Sequence, residues 1–163
     1  MDENSDVGPL INRRAKDHFT ALLRNATENG AQVLAGDETV NAEGLFVRPT
    51  VLTNVTDEMD VYHKEIFGPM ACLYSFDDDQ AVIDRANDTA AGLAAYAYSQ
   101  SQERLEHVGA LLEAGVVGLN TTDIFASELP FGGVKESGIG REHGNNCLDE
   151  FLEIKSYSHE IGE

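Results

Sequence analysis

Apolar residues recur every three to four positions in three stretches of the chain, which is the spacing of one face of an α-helix. The first stretch covers residues 15–26 and stops at Gly30. The second covers residues 81–86 and follows three consecutive aspartates, which can cap and charge a helix start. Its expected inner face consists of Ala81, Val82 and Ala86, with Ile83 as a further candidate. The third covers residues 105–112 and closes at Gly115. These spacings predict three amphipathic helices.

Short apolar runs separate these helices, and each predicts a β-strand. They lie at residues 32–35, 45–47, 50–52, 70–76, 93–98 and 116–119. Polar or irregular segments complete the pattern: a frayed leader at 2–6, a polar loop at 36–44, and short helical turns at 57–62 and 148–153. Strands that alternate with helices are typical of an open α/β sheet with flanking helices.

The last stretch, Ser156–Ile161, alternates aromatic and polar residues and stands at the end of the chain. A terminal strand leaves a row of main-chain N–H and C=O groups that need partners. We therefore expect this strand to pair with another subunit, so that the protein is at least a dimer.

The charge of the chain is strongly acidic, with 29 Asp and Glu against 11 Lys and Arg and a net charge of −18 over 163 residues. Nucleic acids and anionic membranes are therefore poor partners, because both require a basic face. An acid-rich surface is typical of adaptation to high salt, although ordinary acidity explains it equally. The start of the chain is acidic rather than basic, and no apolar run reaches the length of a membrane span, so we expect a cytoplasmic protein.

Candidate catalytic groups are sparse. Cys72 lies in an apolar run, where a thiol is normally an inert packing residue. Cys147 precedes a predicted helix start, which could lower a thiol pKa, but we do not expect it to be a nucleophile. The two cysteines are too far apart in sequence to indicate a disulfide framework or a metal motif. The five histidines are scattered among polar neighbours, and surface positions are the simplest interpretation.

The segment LPFGGVKESGIGRE, residues 129–142, is the most unusual part of the chain. Five of its fourteen residues are Gly or Pro, which excludes the interior of a helix or strand. It nevertheless carries Phe131, Val134 and Ile139, which a solvated loop would not need. A loop that passes close to another surface fits this composition, and a long loop packed on its own domain is the alternative.

This segment closely resembles the PFGG-x-K-x-SG-x-GRE motif near the C-terminus of aldehyde dehydrogenases. Five further motifs of that family have counterparts in the same order: GPLI at 8–11, GLFVRPTV at 44–51, EIFGP at 65–69, AND with GLAA at 86–88 and 92–95, and VGLN at 117–120. Ala91 stands where the family usually has Tyr. Six motifs in order make the resemblance strong, and it covers only the last third of the family's length.

The resemblance implies the C-terminal part of an aldehyde dehydrogenase catalytic domain at residues 1–155, with an oligomerisation strand and tail at 156–163. In that family a thiolate attacks the aldehyde, hydride passes to NAD or NADP, and a thioester is then hydrolysed. The family's nucleophilic Cys and general-base Glu lie upstream of GPLI. We therefore expect the isolated chain to be inactive and to need a chain carrying the missing part. The alternative is a non-catalytic remnant or assembly partner of a longer chain.

The resemblance also implies roles for individual residues. Glu65 would bind the nicotinamide ribose and Phe67 would pack beside the nicotinamide ring. Phe125 and Phe131 would form the walls of the tunnel that takes the small-molecule aldehyde, and Asp123 would lie near its mouth. Glu142 would relay protons from the hydrolytic water. A solvated Glu65, packing phenylalanines and a surface Glu142 are the alternatives. Residues 126–130 most resemble family members that act on semialdehydes.

Overall fold

The computed structural model describes residues 6–36 and 44–162. The leader predicted at residues 2–6 and the polar loop predicted at residues 36–44 fall almost wholly outside the described residues. The chain divides into two compact units, residues 1–75 and residues 76–163.

The first unit begins with helix α1, Arg13–Glu28, as the apolar spacing predicted. The Asn12 side chain caps it by accepting a 2.9 Å hydrogen bond from the Ala15 N–H. The helix ends at Glu28, and Gly30 just beyond it has a φ of +103°, a left-handed conformation that glycine adopts without strain. Its apolar face is buried and consists of Phe19, Leu22, Leu23 and Ala26.

A three-stranded sheet follows, with β1 (Gln32–Ala35) antiparallel to β2 (Thr50–Thr53) and β2 parallel to β3 (Met70–Cys72). A short helix, α2 (Asp60–His63), lies between β2 and β3. The strand predicted at residues 45–47 is wrong, because the Leu45 carbonyl accepts a 2.9 Å hydrogen bond from Leu10 N–H outside any ladder. Strand β3 is shorter than the predicted 70–76, since its pairing with β2 ends at Leu73.

The core of the first unit lies between α1, the sheet and α2. Its residues are Phe19, Leu22, Leu23, Ala26, Ala31, Val47, Leu52, Val55, Met59 and Val61. The five largest fully buried side chains of the described chain, among them Leu52 at 0% exposure, all belong to this cluster. The first unit is therefore organised by apolar packing in the ordinary way.

The second unit contains a parallel two-stranded sheet, β4 (Ala94–Ala97) and β5 (Val116–Leu119). Helix α3 (Asp79–Asn87) is capped by the Asp78 carboxylate, and helix α4 (Gln102–Leu111) is capped by the Ser101 hydroxyl. The predicted inner face of α3 is partly wrong, because Ala81 and Ala86 are exposed and Ile83 is the buried residue.

The C-terminal segment is irregular. Residues Asn145–Phe151 form 3-10 turns where a short helix was predicted at 148–153. The single chain forms no strand over Ser156–Ile161. The pairing predicted for this segment involves a second subunit, and it stays a prediction. Within the described residues, no helix combines the length and apolar character needed to cross a membrane.

Candidate functional site

Two loops carry the residues whose roles the family resemblance implies. The first, residues 65–69, is called the EIFGP loop and belongs to the first unit. The second, residues 129–142, is called the glycine-rich loop and belongs to the second unit. Asp123 and Phe125 lie shortly before it.

The EIFGP loop presents a carboxylate and an aromatic ring to solvent. Glu65 is exposed, and its carboxylate makes no hydrogen bond or ion pair within the described residues. The Phe67 side chain is 74% exposed. Phe67 also has a φ of +45°, a left-handed conformation that is uncommon for a bulky residue and costs on the order of 1–3 kcal/mol. Such a conformation persists only where the surrounding structure holds it.

Helix α1 supplies that support from two successive residues. His18 Nε2 lies 2.8 Å from the Glu65 carbonyl oxygen. The next residue, Phe19, packs its ring against Gly68 so closely that a Cβ there would lie 2.8 Å from Phe19 Cδ2. The glycine of this loop is therefore required by the close approach of the helix. On the far side, the Pro69 carbonyl accepts a 2.9 Å hydrogen bond from Thr50 N–H of β2.

In the second unit the structure brings three of the candidate residues together. The rings of Phe125 and Phe131 have centroids 5.0 Å apart and are tilted by 36°, a favourable aromatic contact. Phe131 and Glu142 exchange two main-chain hydrogen bonds of 2.7 Å, so the two ends of the loop lie side by side. The Glu142 side chain is exposed. Asp123 is exposed as well, and its N–H donates to Thr121 Oγ1 at 3.0 Å.

A depression of about 520 Å³ lies beside this arrangement. Its lining includes Phe131, Arg141, Glu142, His143 and Cys147. Both ends of the glycine-rich loop therefore face one cavity. Cys147, half-buried, is the thiol that lines it.

Close contacts, rather than flexibility, explain one glycine that faces the loop and one glycine within it. A Cβ on Gly115, immediately before β5, would stand 1.8 Å from the Gly132 carbonyl oxygen. A Cβ on Gly133 would stand 2.5 Å from the Ser137 Cβ. Real Cβ atoms do not approach other atoms so closely, so both positions exclude a side chain while the loop keeps this path.

Lys135 ties the loop to the end of α3, and sequence reasoning missed this role. Its Nζ donates to the Asn87 carbonyl at 2.6 Å and to the Thr89 carbonyl at 3.1 Å. It also pairs with the Glu113 carboxylate at 2.6 Å. The Asn87 side chain in turn donates to the Leu111 carbonyl and accepts from Glu113 N–H. The available signal was that one of only four lysines lies inside the glycine-rich segment.

Arg141 holds the two limbs of the same loop. Its Nη1 donates to the Gly133 carbonyl at 2.9 Å and to the Gly140 carbonyl at 2.6 Å. Ser137 adds a further tie, because its hydroxyl accepts a 2.9 Å hydrogen bond from Gly92 N–H. Side chains of the loop thus fix the path of the main chain between Phe131 and Glu142. They form hydrogen bonds to main-chain groups of the loop itself and of the adjacent segment at residues 87–92.

Two perturbed groups lie outside these loops. Burial raises the pKa of the Cys72 thiol, which agrees with an inert packing cysteine. The hydrogen bond from Arg104 holds the pKa of the Asp79 carboxyl below its usual value, and the pair ties α4 to α3. No group of three or more His, Cys, Asp or Glu side chains within residues 6–36 and 44–162 converges as a metal site would.

The model of the family described as the aldehyde dehydrogenase family matches residues 1–157. The chain is 42% identical over 155 residues to a probable succinate-semialdehyde dehydrogenase (NADP+) of Sinorhizobium fredii, covering 95% of the chain and 32% of that protein. It is 42% identical over 157 residues to a non-phosphorylating aspartate-semialdehyde dehydrogenase of Halomonas elongata, covering 96% of the chain and 32% of that protein.

Among solved structures, an oxidoreductase from Marinobacter aquaeolei matches with a TM-score of 0.89 and 43% identity, over 94% of the chain and 32% of that structure. The mixed α/β fold predicted from the element pattern and the resemblance is thereby confirmed. The chain spans about a third of the length of the curated relatives it matches.

Proposed function

Because the chain belongs to the aldehyde dehydrogenase family, whose model matches residues 1–157, we propose that it supplies the C-terminal part of the active site of an NAD(P)-dependent aldehyde dehydrogenase. The observation that carries the proposal is the arrangement in the second unit, where the Phe125 and Phe131 rings touch and Phe131 lies beside Glu142. An apolar wall next to a carboxylate is what the binding and later hydrolysis of an aldehyde-derived group require.

The EIFGP loop is proposed to hold the cofactor, which supplies a hydride acceptor when bound. The residues present fit that group. The Glu65 carboxylate is exposed and has no partner within the described residues, so both oxygens can accept hydrogen bonds from the paired hydroxyls of a ribose. Phe67 offers an exposed ring face for a flat aromatic group.

The aromatic pair is proposed to line the aldehyde tunnel. Phe125 is 64% exposed and Phe131 is half-buried, so their rings offer apolar surface to the carbon chain of a substrate. Asp123, exposed two residues before Phe125, would lie near the mouth of the tunnel. Semialdehydes are the favoured substrate class, and the support for them is the likeness to two semialdehyde dehydrogenases.

Glu142 is proposed to accept the proton of the hydrolytic water. Its main chain is held against Phe131 by two 2.7 Å hydrogen bonds, while its side chain is exposed and lines the 520 Å³ cavity. A glutamate whose main chain is fixed and whose carboxylate is exposed to solvent can pass a proton between the reaction centre and solvent.

The isolated chain is proposed to have no aldehyde-oxidising activity. The raised pKa of Cys72 disfavours its thiolate, and Cys147 stands in no motif of the family's nucleophile. Formation of NADH or NADPH by the pure 163-residue chain, lost in Cys147→Ala, would contradict this.

The direct test is a chimera in which this chain replaces the corresponding third of the Sinorhizobium fredii enzyme. There, Glu65→Gln should weaken cofactor binding and slow hydride transfer, because hydrogen bonds to a charged acceptor contribute about 1.5–3 kcal/mol each, or roughly tenfold or more. Glu58→Gln, an exposed glutamate of the same unit, is the matched control. Cofactor affinity and hydride-transfer rate both unchanged in Glu65→Gln would make Glu65 a solvated loop residue.

Assembly is part of the same proposal. The tail keeps large apolar side chains in solvent, with Ile154 at 98%, Tyr157 at 89% and Ile161 at 85% exposure. We propose that Ser156–Ile161 forms a strand on the sheet edge of a second subunit, giving a homo-oligomer. Light scattering should show a larger particle for the full chain than for a chain ending at Lys155, and a monomer in both cases would contradict it. If the full chain forms oligomers but the chimera binds no cofactor, the alternative function is favoured, in which the chain is a non-catalytic assembly partner of a longer chain.

A further inference from the structure

We propose that His18 is a positioning residue for the cofactor-binding carboxylate. From helix α1, its imidazole holds the main-chain carbonyl of Glu65 and so sets the direction in which the Glu65 side chain and the Phe67 ring leave the loop. The inference rests on the proposed cofactor role of the EIFGP loop.

The contact joins residues that are 47 positions apart in the chain, with His18 Nε2 2.8 Å from the Glu65 carbonyl oxygen. A carbonyl oxygen can only accept a hydrogen bond. His18 must therefore carry a proton on Nε2 whenever the bond is made, as the neutral Nε2–H tautomer or as the imidazolium.

The main chain of the EIFGP loop has little else to hold it. Among the described residues, the bond from His18 is the one hydrogen bond made by the main chain of residues 65–67. Support resumes only at Gly68 and Pro69, whose carbonyls accept from Met70 and Thr50 N–H. Phe67, whose own main chain makes no hydrogen bond among the described residues, has the strained φ of +45°. The His18 bond therefore lies where the loop most needs an anchor.

Helix α1 is a rigid base for this anchor. Phe19, the neighbour of His18, is 1% exposed and packs against Gly68. One turn earlier, the Lys16 Nζ donates to the Gly44 carbonyl at 2.8 Å, with the lysine only 5% exposed. A side chain on such a helix fixes the carbonyl that it holds, and a preorganised carboxylate loses less conformational entropy when a ligand binds.

Losing the bond should therefore weaken binding of the cofactor and leave binding of the aldehyde unchanged. The test uses the chimera with the Sinorhizobium fredii enzyme and three variants of His18. In His18→Gln the amide nitrogen reaches the position of imidazole Nε2, in His18→Asn it does not, and in His18→Leu no donor is present. Thr27→Val is the control, since among the residues that the structure describes the Thr27 hydroxyl bonds only to carbonyls of its own helix.

We expect His18→Leu and His18→Asn to raise the Kd of the cofactor about 3- to 10-fold and its KM in parallel, with the KM of the aldehyde unchanged. His18→Gln and Thr27→Val should stay within about twofold of the parent. The second readout needs no activity: in cofactor-free protein, the Met70 and Thr50 amides, which donate to the Gly68 and Pro69 carbonyls of the loop, should exchange hydrogen faster in the Leu and Asn variants and at the parent rate in the Gln variant.

An unchanged Kd, or unchanged exchange at the Met70 and Thr50 amides, in His18→Leu overturns the inference. An equal increase in the cofactor Kd in His18→Gln and His18→Leu also overturns it, because the effect would then come from the packing of the His18 side chain and not from its hydrogen bond. The Glu65→Gln variant separates the two proposals. If Glu65→Gln weakens the cofactor while His18→Leu changes neither readout, the positioning role alone falls. If Glu65→Gln has no effect on the cofactor, the cofactor role of the loop falls, whatever His18 does.

Discussion

The two units of the chain bury very different amounts of apolar side chain. Ten hydrophobic residues are buried in the described part of the first unit, residues 6–36 and 44–75, whereas the described part of the second unit, residues 76–162, buries three: Ile83, Leu105 and Ile124. The second unit keeps several large rings in solvent instead, among them Phe76, Tyr98 and Phe125 at 55–64% exposure. A parallel sheet is normally covered on both faces, and a two-stranded one is small for a stable unit.

The difference extends to the loops that carry the candidate site. The EIFGP loop is held against a packed helix by one histidine bond and one close ring contact. The glycine-rich loop is held by Lys135, Arg141 and Ser137, which bond to main-chain groups in and around it. One loop thus depends on a core and the other on a polar network. A substitution in the apolar core should therefore affect the first unit, and a substitution in the polar network should affect the second unit.

The largest effect is expected for Leu52→Ala in the first unit. Leu52 is fully buried on the central strand, and truncating such a leucine costs about 2–5 kcal/mol of unfolding free energy. Leu34→Ala on β1, where the side chain is 67% exposed, should change stability by no more than about 0.5 kcal/mol. Urea unfolding measures both. Equal losses in the two variants would show that the first unit has no core of the kind described.

Gly115→Ala should be the most damaging single change tested in the second unit. The new Cβ would meet the Gly132 carbonyl oxygen at 1.8 Å, and a main-chain clash cannot be relieved by a rotamer change. A loss of about 1–3 kcal/mol is expected, with displacement of the loop that carries Phe131. Gly162→Ala, with no atom within 4 Å of its Cβ, is the control. Normal stability of Gly115→Ala would mean that the loop does not follow this path.

Lys135→Met removes the donor that satisfies two main-chain carbonyls and leaves its apolar stem in place. The expected loss is about 0.5–1.5 kcal/mol, because water can replace the donor at these exposed carbonyls and the ion pair with Glu113, whose side chain is 57% exposed, is screened. Hydrogen exchange at Val134 and Glu136 should accelerate, while the Leu73 amide of the first unit keeps its rate.

Lys155→Met, in the exposed tail, is the control for the loss of one positive charge. An unchanged exchange rate at Val134 and Glu136 in Lys135→Met would contradict a polar network as the support of the loop.

The smallest effect is expected for Asp79→Asn, which removes the ion pair between α3 and α4. The hydrogen bond from Arg104 lowers the pKa of Asp79 in the folded chain relative to the unfolded chain. The stabilisation is therefore present above the unfolded pKa and is lost as the pH falls through the folded value. Unfolding at pH 7 should show a slight loss in Asp79→Asn compared with Asp77→Asn, and the two should converge in strong acid. A difference that persists there would exclude the ion pair as its cause.

Local sequence patterns predicted the elements that local forces decide. The apolar spacing of residues 15–26 was sufficient for α1, because one helical face depends on near neighbours. The same reasoning failed at residues 45–47, where a distant partner, Leu10, takes the hydrogen bond, and at Ala81 and Ala86, where the neighbouring elements leave the helix face open. The candidate site residues came from motif resemblance, and their roles stay predictions.

What the sequence determined by itself is therefore the family, the alternation of helices and strands, and the positions of the two loops that carry Glu65 and Phe131. Tertiary structure alone decided how those loops are held. His18 reaches Glu65 across 47 positions, and Lys135 reaches Asn87 across 48. A single side chain bonded to a distant carbonyl leaves no periodic or compositional trace, since its partner is set by the path of the main chain and any residue can supply the carbonyl.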